Sequence, residues 1–153
     1  YSLGVIAFEL LAGRPPFDPE TLARAGLERL DLAGRISSVL DPRQFIPAAA
    51  QGALAVQVRQ DDPETREWVT AIDHAHARLL AETEREVLIS TGCGCHAPVG
   101  AFAEIEGDAL CLHACMADPG CAHLIHRHAK GPLDQYLAVA RQTAEDLARA
   151  VAC

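Results

Sequence analysis

Apolar and polar positions alternate through the last third of the chain, with two short turn signals between the alternating runs. The runs cover residues 99–105, 109–117 and 121–128, and Glu106-Gly107-Asp108 and Asp118-Pro119-Gly120 separate them. Alternation with a period of two predicts strands, and Gly, Asp and Pro between strands predict tight turns. The pattern therefore predicts a three-stranded antiparallel sheet.

A helical repeat follows the sheet and should cover one of its faces. Apolar residues recur at spacings of three and four, at Leu133, Leu137, Ala140, Ala144, Leu147 and Val151. The sheet side of this core is predicted to comprise Val99, Ala101, Ala103, Leu110, Leu112, Leu124 and Ile125. Leu124 and Ile125 are adjacent, so alternation leaves open which of them faces the helix.

Upstream of the sheet, the pattern predicts several helices and one further strand. The helices cover residues 1–17, 21–32 and 78–90, and another begins at Asp62-Pro63 and ends before a polar break at 73–76. The apolar run at residues 53–58 predicts a buried strand after Gly52. Helices combined with strands place the fold in the α/β (α+β) class.

Composition and net charge restrict the partners and the cellular compartment that we expect for this protein. The chain has 153 residues, a net charge of −8, six Cys, no long apolar run and no secretory signal pattern. An acidic chain of this kind argues against nucleic acid and membrane as partners. We expect a cytoplasmic protein with free thiols that folds without a disulfide or a structural metal.

The segment Gly92-Cys93-Gly94-Cys95 carries the candidate chemistry. Its glycines end the preceding helix and clear space around the thiols, and Pro98 prevents the helix from continuing into the next strand. A cysteine on such a loop is accessible to a bulky group and suits covalent attachment. The alternative is a turn that contains two ordinary thiols.

The run Gly94-Cys95-His96-Ala97-Pro98-Val99-Gly100-Ala101 resembles the cofactor-attachment segment of porphobilinogen deaminase, also called hydroxymethylbilane synthase. In that family the cysteine holds a dipyrromethane cofactor through a thioether. Counting without a gap from Glu84-Arg85, which resembles the family's Ala-Glu-Arg motif, assigns the attachment to Cys95. Cys93 stands where the family usually has glycine, so the choice between the two thiols stays open.

Two upstream stretches carry the same resemblance. Residues 21–32 resemble a segment in which an alanine-glycine pair, here Ala25 and Gly26, lies beside the cofactor. Residues 45–59 resemble the segment that returns from the second domain to the first, and its Gln51 and Gly52 match residues near the cofactor. Ala50 replaces a family glycine there. Read without the resemblance, Gly26 is a helix-packing site and Gln51 has no assigned role.

The resemblance implies a domain organisation. Residues 19–75 correspond to the end of the second deaminase domain and the return segment, the tail of a periplasmic-binding-protein-like domain pair. Residues 76–153 correspond to the small third domain. Residues 1–18 instead resemble a protein-kinase helix and its Pro-Pro-Phe loop, without any nucleotide-binding or catalytic kinase motif. We therefore expect a carboxy-terminal piece that lacks its amino-terminal half and is inactive alone.

By resemblance the parent enzyme is a transferase of tetrapyrrole and heme biosynthesis. It joins four porphobilinogen units on the tethered cofactor, releases ammonia and is expected to act as a monomer. The catalytic carboxylate would lie in the missing half, so no catalytic residue is assigned here.

Two other classes of function stay open. One is a non-catalytic interaction domain that keeps the fold. The other is a metal-binding module formed by Cys93, Cys95, His96, Cys111, His113, Cys115, Cys121, His123, His126 and His128. The spacing of these residues departs from the usual paired zinc ligands, and alternation places His113 with Cys115, Cys121 with His123, and His126 with His128 on common strand faces.

Overall fold

The computed structural model describes residues 27–92, 98–118, 120 and 123–151. The described residues fall into two compact units, one formed by residues 27–39 and 52–75 and the other by residues 40–51 and 76–151. Within these ranges, no helix has the length and apolar character needed to cross a membrane. The predicted helix at residues 1–17 lies outside the described residues.

The first unit is mostly irregular, with a short 3-10 helix at Ala33–Arg35 and helix α1 at Pro63–Thr70. The predicted start of α1 is confirmed: the Asp62 side chain accepts a hydrogen bond from Thr65 N at 3.0 Å, and Pro63 occupies the first turn. This bond and a second one, donated by the Thr65 hydroxyl to Asp62 Oδ2 at 2.7 Å, lower the pKa of Asp62. Of the predicted helix at residues 21–32, residues 27–29 are described and helical, and a turn follows them.

The predicted strand at residues 53–58 is wrong. These residues form no strand, and Leu54 and Val56 are 48% and 44% exposed. A strand is stabilised by hydrogen bonds to a neighbouring strand. The sheet found among the described residues contains only strands from 99 onward, so this apolar run has no ladder partner there.

Helix α2, Ala75–Ser90, belongs to the second unit except for its first residue, and this unit also contains a three-stranded antiparallel sheet. The strands are β1 at Val99–Glu106, β2 at Ala109–Ala117 and β3 at Leu124–Pro132, in the order β1-β2-β3. A 3-10 turn at Leu133–Gln135 leads into helix α3 at Tyr136–Val151. The mixed α/β class, the sheet and its covering helix are as predicted.

Strand boundaries were predicted well for β1 and β2 and less well for β3. Gly107 adopts a φ of +62° in the first turn, a conformation that glycine permits. The predicted third strand, residues 121–128, begins instead at Leu124. Asp118 N donates to His123 O and Asp118 Oδ1 accepts from His123 N, at 3.0 and 3.1 Å. These bonds close a longer loop, so pairing resumes only at Ala117 opposite Leu124.

The core lies between the sheet and α3, which packs against β2 and β3. The predicted members Ala101, Ala103, Leu110, Leu112, Ala140, Ala144 and Leu147 are buried, and Val87 of α2, Ala114 and Met116 join them. Ile125 packs against this cluster, whereas Leu124 is 56% exposed. The question left open by alternation is thereby answered in favour of Ile125, and the core assignment of Leu124 is wrong.

Candidate functional site

The predicted attachment residue Cys95, its neighbour Cys93, and the pair Ala25 and Gly26 lie outside the described residues. The structure does describe both flanks of the cysteine loop. On one side α2 ends through Gly92, whose N–H donates to Ile89 O at 3.1 Å and whose φ is +68°. On the other side Pro98 O accepts from Ala117 N at 3.0 Å, directly before β1. The predicted helix end and strand start are therefore confirmed.

Gln51 and Gly52 lie at the end of a tight turn. The Gln51 side chain is exposed, and its Oε1 accepts a hydrogen bond from Ala48 N at 3.2 Å. Gln51 N in turn donates to Ala48 O at 3.1 Å. Ala50 has a φ of +59°, in the left-handed region that glycine tolerates and alanine does not favour.

The turn that carries Gln51 lies against the strand that follows the cysteine loop. Ala101 N donates to Pro47 O at 3.0 Å. A Cβ at Gly100 would lie 2.9 Å from Ile46 O and 3.0 Å from both Pro47 O and Cys115 Sγ. Only a glycine at this position permits such a close approach, and the structure thus brings residues 46–51 together with the start of β1.

Glu84 of α2 joins the same two segments. Its side chain is almost fully buried, and its two oxygens accept from Ala50 N at 2.6 Å and Ala103 N at 2.8 Å. Burial raises the pKa of Glu84 to about 7, although both N–H groups favour the charged form. From the sequence, Glu84 was identified only as part of the motif that sets the register of the attachment cysteine, and its contacts were not predicted. The spacing of Leu80, Glu84 and Val87 was the available signal, because it puts the carboxylate on the apolar side of α2.

These contacts protect the outer edge of β1. An unpaired sheet edge exposes N–H groups that can pair with other chains. Pro47 O and Glu84 satisfy the N–H groups of Ala101 and Ala103 on this edge. The strand after the cysteine loop is therefore held on both sides, by β2 and by residues 47–50 together with Glu84.

The sheet face opposite α3 carries five of the ten candidate Cys and His residues. Cys111, His113 and Cys115 share this face, as do His126 and His128, which confirms two of the predicted pairs. The predicted strand position of His123 is wrong, because His123 precedes β3, and Cys121 lies outside the described residues. His113 and His128 are directly opposite, with ring centroids 4.5 Å apart. Burial and repulsion by His128 lower the pKa of His113.

Both thiols on this face are buried, and Cys111 lies beside charged side chains. Cys111 and Cys115 are free, and burial raises the pKa of both. Cys111 Sγ donates to Glu106 Oε2 at 3.2 Å, and Lys130 Nζ lies 3.3 Å from the same oxygen. In the part of the chain that the structure describes, no three Cys, His, Asp or Glu side chains are grouped to hold a metal ion.

Two family models match the chain. Residues 9–67 match the dipyromethane cofactor binding domain of porphobilinogen deaminase, and residues 78–152 match the C-terminal domain of porphobilinogen deaminase. The first match begins inside the segment that resembles a kinase helix. Together the two matches cover most of the 153 residues.

Curated relatives show the same similarity. The chain is 38% identical to the porphobilinogen deaminases of Bordetella parapertussis and Bordetella bronchiseptica over 126 residues, which is 82% of this chain and 40% of each relative. It is 39% identical to that of Xanthomonas axonopodis pv. citri over 131 residues, which is 86% of this chain and 43% of the relative. The chain thus spans less than half the length of these relatives.

Proposed function

Since the chain belongs to the porphobilinogen deaminase family, we propose that it is the cofactor-holding, carboxy-terminal part of a hydroxymethylbilane synthase. The parent reaction is the head-to-tail joining of four porphobilinogen units with loss of ammonia, in tetrapyrrole and heme biosynthesis. The observation that carries the proposal is that the match to the C-terminal domain includes the Cys95 segment, while the match to the cofactor-binding domain includes Gln51 and Gly52.

Cys95 is the proposed attachment residue for dipyrromethane. A thiolate is a strong nucleophile and can form a thioether with an electrophilic pyrrole methylene. When bound, the cofactor supplies the primer on which the chain of pyrroles grows. The two flanks of the cysteine loop support this assignment. Gly92 N–H donates a backbone hydrogen bond at the end of α2, and Pro98 O accepts one from Ala117 N of β2.

Gln51, Gly52, Ala25 and Gly26 are proposed to lie beside the cofactor. Small residues leave room for pyrrole rings, and an exposed amide such as that of Gln51 can bind a carboxylate or a pyrrole N–H. The packing of residues 46–51 against the start of β1 supports this placement of Gln51. The arginines that would bind the acetate and propionate groups, and the catalytic carboxylate, are assigned to the amino-terminal half.

The proposal also specifies organisation and surroundings. Residues 1–18 would form a kinase-like stub. Residues 19–75 would complete a periplasmic-binding-protein-like domain pair with the amino-terminal half, and residues 76–153 would form the third domain. The assembled enzyme would be a cytoplasmic monomer with porphobilinogen as substrate and no nucleic-acid or membrane partner.

Peptide mass measurement tests the attachment. The chain would be combined with the amino-terminal half of a related deaminase and with porphobilinogen, and its cysteine-containing peptides would be analysed. We expect a dipyrromethane adduct on Cys95 that is lost in Cys95→Ser and kept in the matched variant Cys93→Ser. An adduct on Cys93, or one that survives Cys95→Ser, would show the assignment to be wrong.

A further inference from the structure

Residues 40–51 contact β1 and α2 of the same unit at three points along their length. Arg43 contacts Glu104 near one end, Pro47 O accepts from Ala101 N in the middle, and Ala50 N donates to Glu84 near the other end. In the second and third contacts, residues 40–51 contribute backbone atoms, so these contacts depend on the path of the backbone. The first is a side-chain pair, and its strength therefore depends on which residues occupy the two positions.

The Arg43–Glu104 pair has the geometry of a two-point fork. Arg43 Nε donates to Glu104 Oε1 at 2.7 Å, and Nη2 donates to Oε2 at 2.8 Å. Two parallel bonds fix orientation as well as distance, which a lysine could not do. Nη2 also lies 3.5 Å from Glu106 Oε1, so the guanidinium spans two carboxylates of β1.

Neighbouring groups hold the backbone of Arg43 and contact the side chain of Glu104. Arg43 N donates to Asp41 Oδ1 at 2.9 Å, and Asp41 O accepts from Gln44 N and Phe45 N in a closed turn. Glu104 is 22% exposed on the sheet face opposite α3, with His113 Nε2 at 3.5 Å from its Oε1. The Arg43 side chain is 50% exposed, so the fork itself must order it, and the net gain from such a pair is small.

We propose that Arg43 and Glu104 are positioning residues that clamp residues 40–51 onto β1 and thereby fix Gln51 relative to the strand that follows the cysteine loop. Neither residue is assigned to contact cofactor or substrate. The consequence for Gln51 rests on the proposed function, whereas the clamp itself is a property of the fold. Breaking the fork frees one end of the segment and weakens the backbone contacts that follow it.

Amide hydrogen exchange of the chain tests the clamp. Arg43→Gln and Glu104→Gln should each speed exchange at the Ala101 and Ala50 amides by about two- to fivefold, because local opening becomes easier. The double variant should exchange no faster than either single variant, since each removes the same interaction. Arg149→Gln is the matched control, because it removes the same charge from α3, where Arg149 pairs with Glu145 and Asp146. Unchanged exchange in Arg43→Gln and Glu104→Gln, or an equal effect of Arg149→Gln, would overturn the clamp.

A charge-exchanged variant separates pairing from general damage to the fold. Arg43→Glu and Glu104→Arg alone place like charges together, and the combined variant restores an opposite pair. We expect the combined variant to recover at least part of the amide protection that each single change removes. Protection that falls further in the combined variant would contradict a direct interaction between the two positions.

Kinetics of the holoenzyme that contains these residues tests the effect on Gln51. Arg43→Gln and Glu104→Gln should lower kcat by about two- to fivefold and leave KM for porphobilinogen unchanged, because Gln51 is assigned to the tethered cofactor. A change confined to KM, or the same loss in Arg149→Gln, would refute the positioning role. Absence of any dipyrromethane adduct in the unmodified enzyme would refute the proposed function, and amide exchange would still decide the clamp.

Discussion

Two apolar runs with similar sequence character have opposite environments in this chain. Strand β2, Ala109–Ala117, is hydrogen-bonded on both edges, and most of its residues are buried. Residues 53–58 form no strand, and most of them are exposed. The partners of β2 are its neighbours in sequence and reach it through short connections. The lesson is that an apolar run predicts a buried strand dependably when its ladder partners lie close by in the chain.

Leucine truncation should show the largest contrast between the two runs. Leu112 in β2 is fully buried, whereas Leu54 is 48% exposed. We expect Leu112→Ala to lower the free energy of unfolding by about 2–5 kcal/mol, because it removes buried surface and leaves a cavity. Leu54→Ala should change it by less than about 0.5 kcal/mol. Urea unfolding of the two variants beside the unchanged chain measures both effects.

A milder change keeps this comparison usable if Leu112→Ala does not fold. Leu112→Met conserves volume and should lower the free energy of unfolding by less than about 1.5 kcal/mol. A loss for Leu54→Ala that equals the loss for Leu112→Ala would remove the contrast between the two runs.

The free energy of unfolding should depend on pH through the buried carboxyl group of Glu84. The exposed run at residues 53–58 contains no such group. The pKa of Glu84 is raised to about 7 from an ordinary value of 4.5, so the folded state holds this proton more tightly than the unfolded state does. The stability from Glu84 is therefore fully present below pH 4.5 and is lost as the pH rises to about 7. The loss is about 3 kcal/mol, since each pKa unit corresponds to about 1.4 kcal/mol.

Unfolding across this pH range would compare the unchanged chain with Glu84→Gln, which cannot titrate. The difference in free energy between the two should move by about 3 kcal/mol against the unchanged chain as the pH rises. Glu86→Gln is the control on the same helix, because Glu86 pairs with Arg141 and does not contact residues 47–50. Parallel curves for the unchanged chain and Glu84→Gln would contradict the prediction.

Glycine-to-alanine substitutions should change stability in opposite directions in the two units. An added Cβ at Gly100 would lie 2.9 Å from Ile46 O, whereas at Gly34 it would meet nothing within 4 Å. Gly100→Ala should destabilise the chain by about 1–3 kcal/mol, because backbone atoms would have to move. Gly34→Ala should stabilise it by up to about 1 kcal/mol through the unfolded state. Thermal unfolding distinguishes these signs, and equal midpoints for the two variants would show that the close approach at Gly100 is unimportant.

The success of the sequence predictions also depends on whether the contacts involved join residues that are near or distant in the chain. The first hairpin turn, the caps at Asp62 and Gly92 and the α3 stripe depend on contacts between near neighbours, and the pattern located these features. The start of β3 was missed because hydrogen bonds between Asp118 and His123, which no period reveals, close the preceding loop.

In the candidate site, Gln51 and Gly52 were identified only through resemblance. The contacts of Glu84 and the Arg43–Glu104 fork join residues 19 or more positions apart in the chain. Local periodicity does not specify which side chains meet across such a separation, so these contacts could not be predicted.

Ala50 should give the smallest effect and tests the turn that ends in Gln51. Its φ of +59° is unfavourable for alanine by about 1–2 kcal/mol, and glycine would remove that strain. Glycine also increases the entropy of the unfolded chain, which offsets roughly 0.5–1 kcal/mol of the gain. Ala50→Gly should therefore stabilise the chain by about 0.5–1 kcal/mol in urea unfolding. Ala49→Gly, at the preceding position where no positive φ occurs, should destabilise it by a similar amount. If Ala50→Gly instead destabilised the chain as much as Ala49→Gly, the left-handed backbone at residue 50 would be wrong, and with it the orientation of the Ala50 N–H toward Glu84.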